Sequence, residues 1–337
     1  MKSGIALVGS TIVDTVLSAQ EPGRLTYVDA EKFVSEQELS GEKAKYSVGG
    51  MALNVAVDLA KIGGNYPIAV FGKIGADANA DIIRSALREN RIDPSTLLID
   101  DTHETSGTEV IHIRMPDGNV ERIFRHTLGA MGAFREQDIS IEDLTPFKIA
   151  MFGYGLLLPQ LDLADEQYGV ILGRVLARAQ SQGILTALDF VSPDEDNKFK
   201  FLRYRKALKY VDILCINDDQ ACSLAEVDNP RYATESLVQD HGVNIAVVHC
   251  GALGPNYAFS QQEGLVTQAN FTVAPEDCKG NAGAGDAFSA GFLHGIHQSW
   301  SVAESVRFAA AAAAVSLGDE SCTGAMRDES FILQFMQ

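Results

Sequence analysis

A run of small residues that ends in a carboxylate is the part of this sequence best suited to chemistry. Residues 280–286 read Gly-Asn-Ala-Gly-Ala-Gly-Asp, and an apolar pattern with helical spacing follows at once. Side chains as small as those of Gly283, Ala284 and Gly285 let backbone N–H groups come close to a bulky anion. A helix that begins near Asp286 directs its positive dipole end at the same anion. The pattern therefore predicts phosphoryl transfer to a hydroxyl group, in which the amides bind phosphate and Asp286 accepts the proton.

The same residues also have a purely structural interpretation. Glycine-rich turns precede many helices, and an Asp near a helix N-terminus stabilises the helix by accepting hydrogen bonds from its first amides. A short motif of this kind also arises by chance. A second signature elsewhere in the chain is needed to decide between the two interpretations.

A second glycine-rich stretch lies far upstream. Gly50 precedes a helical apolar pattern that ends at Gly63, and Asn54 falls within its first turns. Asp14 follows the apolar run Ile5–Val8, which is typical of a buried parallel strand. Ligands of open α/β sheets bind where such strands end. We therefore expect Asp14, on a loop or strand end, and Asn54 to contact a polar ligand, although each taken alone also fits a surface position.

Length and composition narrow the class of protein. The 337 residues are 46% hydrophobic and 21% charged, enough for one large α/β domain or one domain with a small attachment. The net charge of −18 disfavours a nucleic-acid or anionic-membrane partner. Five scattered cysteines indicate reduced thiols, and the N-terminal apolar run is too short for a signal peptide. We expect a cytoplasmic protein that binds neither nucleic acid nor membrane.

The remaining chain alternates strand and helix patterns, which indicates a parallel sheet covered on both faces. Expected strands are Ile149–Phe152, Ile184–Leu188, Ile213–Ile216 and Ile245–His249, and expected helices are Leu163–Ser181, Phe199–Tyr210, Tyr232–His241 and a tightly packed Ala303–Leu317. Two segments depart from this alternation. Residues 24–47 are polar with short alternating pieces, and residues 106–124 suggest a hairpin. We interpret residues 24–47 as a small β excursion.

With both signatures in place, the chain resembles the ribokinase or PfkB family of carbohydrate kinases over nearly its whole length. The specific signature is Gly-Ala-Gly-Asp-Ala-Phe at 283–288, and the second is the stretch from Gly49 to Gly63. The resemblance implies a single ribokinase-like α/β domain over 1–337, a three-layer sandwich with a central, mostly parallel sheet. It also implies a small β lid inserted after the first strand, at about 24–47 and possibly with 106–125.

The family resemblance also assigns roles to individual residues. Asp286 would be the catalytic base, and the backbone of Gly283, Ala284 and Gly285 would form the anion hole for the γ-phosphate. Substrate contacts would come from Asp14, Gly50 and Asn54. Nucleotide contacts would come from Asn217, Gln220, Gly251 and Gly254. The implied cofactors are ATP and Mg²⁺.

Departures from the family pattern leave several points open. Gly280-Asn281 replaces the Asp-Thr that often helps to bind an activating monovalent cation, so the resemblance does not decide whether such a cation acts here. Gln220 replaces a Glu linked to Mg²⁺, and Asp218 or Asp219 is the alternative carboxylate. After Asp189 the chain reads Phe-Val-Ser-Pro rather than the Asp-x-Asn-x-Arg of many sugar kinases.

We therefore expect an ATP-dependent kinase that phosphorylates a hydroxymethyl group of a sugar or related small alcohol. A nucleoside kinase of the same fold and a non-catalytic sugar- or nucleotide-binding protein are the alternatives. Because a lone two- or three-stranded lid is marginal in water, we also expect a homodimer joined through the lid strands.

Overall fold

Strands and helices alternate along most of the described chain. The structure is a computed structural model that describes residues 2–19, 26–28, 31–33, 45–114, 120–193, 197–252 and 254–337. The strands are β1 (Ile5–Gly9), β2 (Ile12–Ala19), β3 (Thr26–Val28), β4 (Glu31–Phe33), β5 (Lys45–Gly49), β6 (Ile68–Phe71), β7 (Lys73–Gly75), β8 (Leu98–Asp100), β9 (Gly107–Arg114), β10 (Val120–Thr127), β11 (Ile149–Gly155), β12 (Ala164–Asp165), β13 (Gly169–Val170), β14 (Leu185–Phe190), β15 (Ile213–Asn217), β16 (Ile245–His249), β17 (Asn256–Ser260) and β18 (Gly264–Gln268). The α-helices are α1 (Met51–Ile62), α2 (Ala78–Glu89), α3 (Ile141–Leu144), α4 (Ile171–Ser181), α5 (Lys198–Arg203), α6 (Asp218–Ala225), α7 (Pro230–Gln239), α8 (Ala284–His297), α9 (Val302–Ser316) and α10 (Glu329–Phe335).

The central sheet has eight strands in the order β18-β17-β16-β15-β14-β11-β1-β6. The six strands from β16 to β6 run parallel, and β17 and β18 add an antiparallel hairpin at one end. The expected mostly parallel sheet is confirmed, while the final hairpin was not foreseen. Because the carboxyl ends of parallel strands meet at one edge, loops after β1, β11, β14, β15 and β16 open on the same side.

Each central strand supplies side chains to two separate cores. In β1, Ile5 and Leu7 pack on one side of the sheet, whereas Ala6 and Val8 pack on the other. This alternation follows from the two-residue period of a strand. Helices α1, α8 and α9 cover the first side, and α4 to α7 cover the second. The result is the three-layer sandwich that the sequence led us to expect.

A separate four-stranded sheet has the order β10-β9-β2-β5. The hairpin expected from residues 106–124 is confirmed as β9 and β10, and its turn at 115–119 lies outside the described residues. The sheet starts earlier along the chain than the expected lid, because β2 begins at Ile12. Asp14 therefore lies within a strand and not on a loop, and its backbone pairs with Ser47 and Thr108.

Two expected helices are shorter than the sequence pattern indicated. The segment 163–181 forms the hairpin β12–β13 and only then α4, because the Asp165 carboxylate accepts hydrogen bonds from the amides of Gln167 and Tyr168 and closes a turn. The segment 199–210 forms α5 followed by two 3₁₀ turns. Among the described residues, no helix has the length and apolar character needed to cross a bilayer.

Close packing of α9 against α8 places the functional end of α8. The run of six alanines lies on α9, and a Cβ built on Gly291 of α8 would be 2.9 Å from the Cα of Ala309. Small residues on both helices therefore allow their backbones to approach, as the alanine-rich pattern predicted. This contact holds the N-terminus of α8 beside the carboxyl edge of the sheet.

Candidate active site

The start of α8 forms a backbone cradle of the kind that binds anions. Gly283 caps the helix in the left-handed conformation with φ of 77°, and a Cβ there would be 2.5 Å from the carbonyl oxygen of Cys322. Both the φ value and the close contact require glycine. Ala284 and Gly285 are the first two helical residues, and the first N–H groups of a helix have no intrahelical acceptor. The Ala284 amide makes only a long hydrogen bond of 3.4 Å to the carbonyl oxygen of Asn281, so both amides lie at a helix start of the kind that binds anions.

Asp286 sits in the first turn of α8 and is 4% exposed. The Tyr154 hydroxyl donates to Oδ1 at 2.5 Å, and Asn54 Nδ2 donates to Oδ2 at 2.8 Å. Burial raises the pKa of Asp286, and the two hydrogen bonds hold part of that rise back. Each carboxylate oxygen thus has one fixed donor, which orients the group without neutralising it. This is the arrangement that a general base requires.

We expect Tyr154→Phe to change the pH dependence of activity. The hydroxyl hydrogen bond stabilises ionised Asp286, so its loss raises the pKa of Asp286 further. Because the base acts in its ionised form, the acid limb of the plot of kcat/KM against pH should move to higher pH. At pH values on the acid side of the limb, kcat/KM should be roughly tenfold lower than in the unmodified chain. Tyr210→Phe is the control, since the Tyr210 ring contacts Tyr168 and the Lys209 ammonium and makes no contact with Asp286 among the described residues. An unmoved acid limb in Tyr154→Phe would contradict the assignment.

Asn54 reaches Asp286 because α1 starts at a fixed point beside β1. Gly50 caps α1 with φ of 81°, and a Cβ there would be 2.6 Å from the carbonyl oxygen of Ser10. Ser10 Oγ accepts hydrogen bonds from the backbone amides of Met51 and Tyr154 at 3.2 and 3.3 Å. One serine at the end of β1 therefore ties the start of α1 to the end of β11. Asn54 is 3% exposed, which excludes the alternative of a surface position.

Asp14 lies in the same group of side chains. A Cβ on Gly49 would be 2.1 Å from Asp14 Oδ2, so this glycine leaves room for the carboxylate. Cys322 Sγ donates toward Asp14 Oδ2 at 3.9 Å, and the backbone of Cys322 also contacts Gly283. Burial and the charge of Asp286 raise the pKa of Asp14 to about 6. Cys322 therefore contacts both Asp14 and Gly283 of the anion cradle.

Two further carboxyl groups surround Asp286. Asp189, at the end of β14, is 7% exposed and accepts a hydrogen bond from the amide of Phe190 at 2.7 Å. Asp58 lies on α1, one helical turn after Asn54, and is fully buried. Burial raises the pKa of both groups well above its ordinary value, and the charge of Asp286 raises each further.

The side chains of Asn217 and Gln220 form a reciprocal cap at the start of α6. Asn217 Oδ1 accepts from the Gln220 amide at 2.8 Å, and Gln220 Oε1 accepts from the Asn217 amide at 2.9 Å. Gln220 Nε2 donates to the carbonyl oxygen of Phe190 at 2.9 Å, and the side chain is 2% exposed. Gln220 therefore ties the end of β15 to the end of β14. Asn217 also donates to Ser192 Oγ at 3.2 Å.

His249 and the loop after β16 lie next to this cap. His249 pairs with Asn217 across the sheet, and its ring nitrogen Nε2 would be 3.3 Å from a Cβ on Gly285. Burial lowers the pKa of His249 to about 4, so the ring is neutral at pH 7. In the following loop, the carbonyl oxygens of Gly251 and Gly254 accept hydrogen bonds from Asn270 at 2.6 and 2.9 Å. This loop is thus held beside the anion cradle.

The structure brings the expected site residues to one edge of the sheet in two groups. Asp14, Asn54 and Asp286 form the first group, with Gly50 behind them as a helix cap. We call this group the acceptor side, after the acceptor hydroxyl that is expected to bind there. The second group holds Asn217, Gln220, Gly251 and Gly254 at the ends of β15 and β16, and its residues are held mainly by contacts with each other and with neighbouring backbone.

Sequence reasoning missed four residues of the acceptor side: Tyr154, Asp189, Asp58 and Cys322. Tyr154 and Asp189 each carry a polar group at the end of a parallel strand, which is a usable signal. Asp58 could have been found as a carboxylate on the apolar pattern of α1. Cys322 follows no strand and belongs to no motif, so nothing in the sequence distinguishes it.

Comparisons with known proteins agree with this geometry. The model of the pfkB family of carbohydrate kinases matches residues 5–329. A 5-dehydro-2-deoxygluconokinase of Geobacillus kaustophilus (strain HTA426) is 23% identical over 294 residues, which are 86% of this chain and 84% of that protein. Arabidopsis thaliana ribokinase, solved with ribose and ATP, superposes with a TM-score of 0.78 at 20% identity, covering 100% and 99% of the two chains. An E. coli structure described as ribokinase II in complex with ATP and Mg²⁺ superposes with a TM-score of 0.77 at 16% identity, covering 99% of each chain.

The structural likenesses show the fold, and the family match extends from the first strand to the last helix. Both glycine-rich signatures lie within the matched residues, and the structure joins them through the hydrogen bond between Asn54 and Asp286. This chain belongs to the pfkB family of carbohydrate kinases.

Proposed function

We propose that the protein is an ATP-dependent kinase that transfers the γ-phosphate to a hydroxymethyl group of a sugar or related small alcohol. One observation carries the proposal: Asp286 is a buried carboxylate with both oxygens oriented by donors, in the same helical turn as the amides of Ala284 and Gly285. A base and an anion cradle are thereby held on the same rigid helix. Positioning and electrostatic stabilisation of this kind account for most catalysis of phosphoryl transfer.

The reaction needs one proton acceptor and one anion site. Asp286 removes the proton from the acceptor hydroxyl as its oxygen attacks the γ-phosphorus, and the bond from phosphorus to the β-phosphate oxygen breaks. The amides at Ala284 and Gly285 stabilise the charge on the transferred group. The products are the phosphorylated acceptor, ADP and a proton, which leaves Asp286 to solvent. Asp14 and Asn54 hold the acceptor hydroxyls.

Mg²⁺ would neutralise the charge of the ATP phosphates. The described residues contain no cluster of three or more His, Cys, Asp or Glu side chains that could hold a metal ion. An ion held by ATP phosphates, water and one carboxylate fits this arrangement. The amide of Gln220 is occupied at both ends, and Asp218 would supply the carboxylate, because its charge acts on His249 and Cys250 at the end of β16.

We expect Asp218→Asn to raise the Mg²⁺ concentration for half-maximal activity by roughly three- to tenfold, because one carboxylate near the phosphates is lost. The measurement is a Mg²⁺ titration of turnover at saturating ATP and acceptor. Asp219→Asn is a matched control, since Asp219 occupies the same helical turn, is exposed, and acts on Cys222. A rise in Asp219→Asn with none in Asp218→Asn would exclude Asp218 as the carboxylate.

The kinase proposal is tested by ADP release over a panel of pentoses, hexoses, sugar acids, amino sugars and nucleosides, each with Mg²⁺ and ATP and with K⁺ present or absent. Acceptor-dependent ADP release together with a phosphorylated product supports the proposal. Turnover with nucleosides alone would favour the nucleoside-kinase alternative. ATP binding without turnover on any acceptor would favour a non-catalytic binding protein.

A homodimer formed through the β10-β9-β2-β5 sheet is part of the same proposal. Among the described strands, β10 and β5 each have a neighbour on one side only, and Tyr46 on β5 is 58% exposed. Open edges of this kind pair with a second chain unless they are protected. Light scattering should give twice the 36.3 kDa chain mass. Tyr46→Asp should reduce that mass, whereas Tyr232→Asp, equally exposed at 58%, should not. A monomer of the unmodified chain would contradict the dimer.

A further inference from the structure

The acceptor side of the site contains four carboxyl groups. Asp14, Asp58, Asp189 and Asp286 come from four different elements, namely β2, α1, β14 and α8. The charge of Asp286 acts on each of the other three. Asn54 bonds to Asp286 and lies one turn before Asp58. A Cβ on Gly153, the residue before Tyr154, would be 2.9 Å from the carbonyl oxygen of Asp189. Four acidic side chains thus lie around the point where the acceptor hydroxyl must bind.

Hydrogen-bond acceptors outnumber donors in this group. Both carboxyl oxygens of Asp58 and the Oδ1 atom of Asn54 are buried and have no hydrogen-bond partner. Asp286 receives one donor on each oxygen. A buried polar atom without a partner is costly, so a ligand that brings hydrogen-bond donors is favoured here. Hydroxyl and ammonium groups bring donors, whereas a carboxylate or phosphate brings only further acceptors.

Basic side chains do not balance these charges in the described part of the chain. Lys61 acts on Asp58, and its ammonium is bonded to the carbonyl oxygen of Thr323 at 2.6 Å. The charge that acts on Asp14 and Asp189 is the carboxylate of Asp286, and no lysine or arginine among the described residues contributes. Residues 189–193 contain no basic residue. The charges that the described residues place at the acceptor side are therefore net negative.

We infer that this site accepts uncharged sugars and polyols or cationic amino sugars, and rejects acceptors that carry a carboxylate or phosphate. The inference rests on the proposed kinase function. It separates this chain from its Geobacillus relative, whose name denotes a gluconate as the acceptor. An anionic acceptor beside the carboxylates of Asp14 and Asp286 meets like-charge repulsion, and the expected discrimination is on the order of a hundredfold in kcat/KM.

The electrostatic potential at the acceptor side can be measured without knowing the acceptor, because the thiol of Cys322 lies there and can be labelled. Its Sγ atom is 3.9 Å from Asp14 Oδ2, and its side chain is partly exposed. Methanethiosulfonate reagents react with the thiolate to form a mixed disulfide and release a sulfinate. We would compare a trimethylammonium reagent with a sulfonate reagent of similar size, in a Cys222→Ser/Cys278→Ser background that leaves Cys322 as the accessible thiol. Peptide mass spectrometry identifies the modified residue.

We expect the cationic reagent to react at least about tenfold faster than the anionic one at Cys322, after both rates are normalised to a small free thiol. The ratio of the two rates should fall in Asp14→Asn, which removes the carboxylate that contacts Cys322. It should stay unchanged in Asp240→Asn, because Asp240 is the C-terminal cap of α7. Equal rates for the two reagents would overturn the inference. Burial and the neighbouring carboxyl groups raise the pKa of the Cys322 thiol, so both rates are measured at several pH values up to the alkaline range. A faster rate for the anionic reagent would also overturn the inference.

Acceptor kinetics provide a second and separate readout. Aldoses, the aldonic acids of the same carbon skeleton and the corresponding amino sugars are compared in the ADP-release assay. Activity confined to uncharged and amino acceptors supports the inference. An acid used within tenfold of its uncharged partner overturns the inference and leaves the kinase function standing. Turnover with none of them removes the kinase proposal, while the reagent ratio at Cys322 still decides whether the site is anionic.

Discussion

Asp286→Asn is expected to lower kcat by at least about a hundredfold while ATP binding is retained, because the amide keeps the shape of the side chain and loses the base. The local hydrogen bonds can adapt. The oxygen of the new amide still accepts a hydrogen bond from the Tyr154 hydroxyl. Its NH₂ group takes the place of Asp286 Oδ2 and faces the Asn54 side chain. A flip of the Asn54 amide presents its Oδ1 atom, which has no partner in the structure, to that NH₂ group.

Stability separates this loss from misfolding. Asp286 is a buried charge close to Asp14, Asp58 and Asp189, so its neutralisation removes like-charge repulsion. The melting temperature of Asp286→Asn should therefore equal or exceed that of the unmodified chain. The measurements are single-turnover ADP formation, calorimetric titration with ATP and thermal melting, with Asp240→Asn as the surface control. Near-normal turnover by Asp286→Asn would exclude Asp286 as the base.

The second large effect is expected at the helix cap. Gly283→Ala should lower kcat/KM for ATP by roughly ten- to a hundredfold, because displacing the reacting group by about 1 Å costs that much. A Cβ at this position would lie 2.5 Å from the Cys322 carbonyl oxygen, and the three nearest atoms are all backbone or Cβ atoms of Cys322 that cannot rotate away. The loop before α8 or the segment at Cys322 must shift, and the amides at the start of α8 move with it.

Gly264→Ala is the matched control for the strain that a side chain causes at a positive φ. Gly264 has φ of 74°, close to the 77° of Gly283, but a Cβ there would meet no atom within 4 Å. Both variants therefore carry the left-handed conformation penalty of about 1–2 kcal/mol in the free energy of unfolding. Only Gly283→Ala carries the overlap with Cys322. We expect a loss of melting temperature in both variants, larger in Gly283→Ala, and a loss of turnover in Gly283→Ala alone. Equal turnover in the two variants would mean that Gly283 is an ordinary structural turn.

Features that depend on a few neighbouring residues could be predicted from the sequence. The start of α8 follows from Gly283 and the apolar pattern behind it, and the limits of α1 follow from Gly50 and Gly63, both of which adopt positive φ. The order of parallel strands and helices follows from alternating periodicity. Predictions failed where one side chain changes the local backbone, as Asp165 does by closing the turn that shortens the helix expected at 163–181.

The composition of the acceptor side could not be predicted in the same way. The residue types of Tyr154 and Asp189 are visible in the sequence, but their contacts depend on which strands are neighbours. The Tyr154 hydroxyl reaches Asp286 across 132 residues of chain, and the Asn54 amide reaches it across 232. The sheet order β14-β11-β1 brings these strand ends together, and no local pattern encodes that order.

The sequence by itself determined that this chain has a glycine-rich turn followed by a carboxylate on a helix, because glycine conformation and helix periodicity are local properties. Only the tertiary structure decided that Asp286 has two donors and three carboxyl neighbours, since burial and electrostatic coupling arise when distant elements pack together. It also decided that Gln220 is a buried link between strands, because both ends of its amide find backbone partners only in the folded sheet.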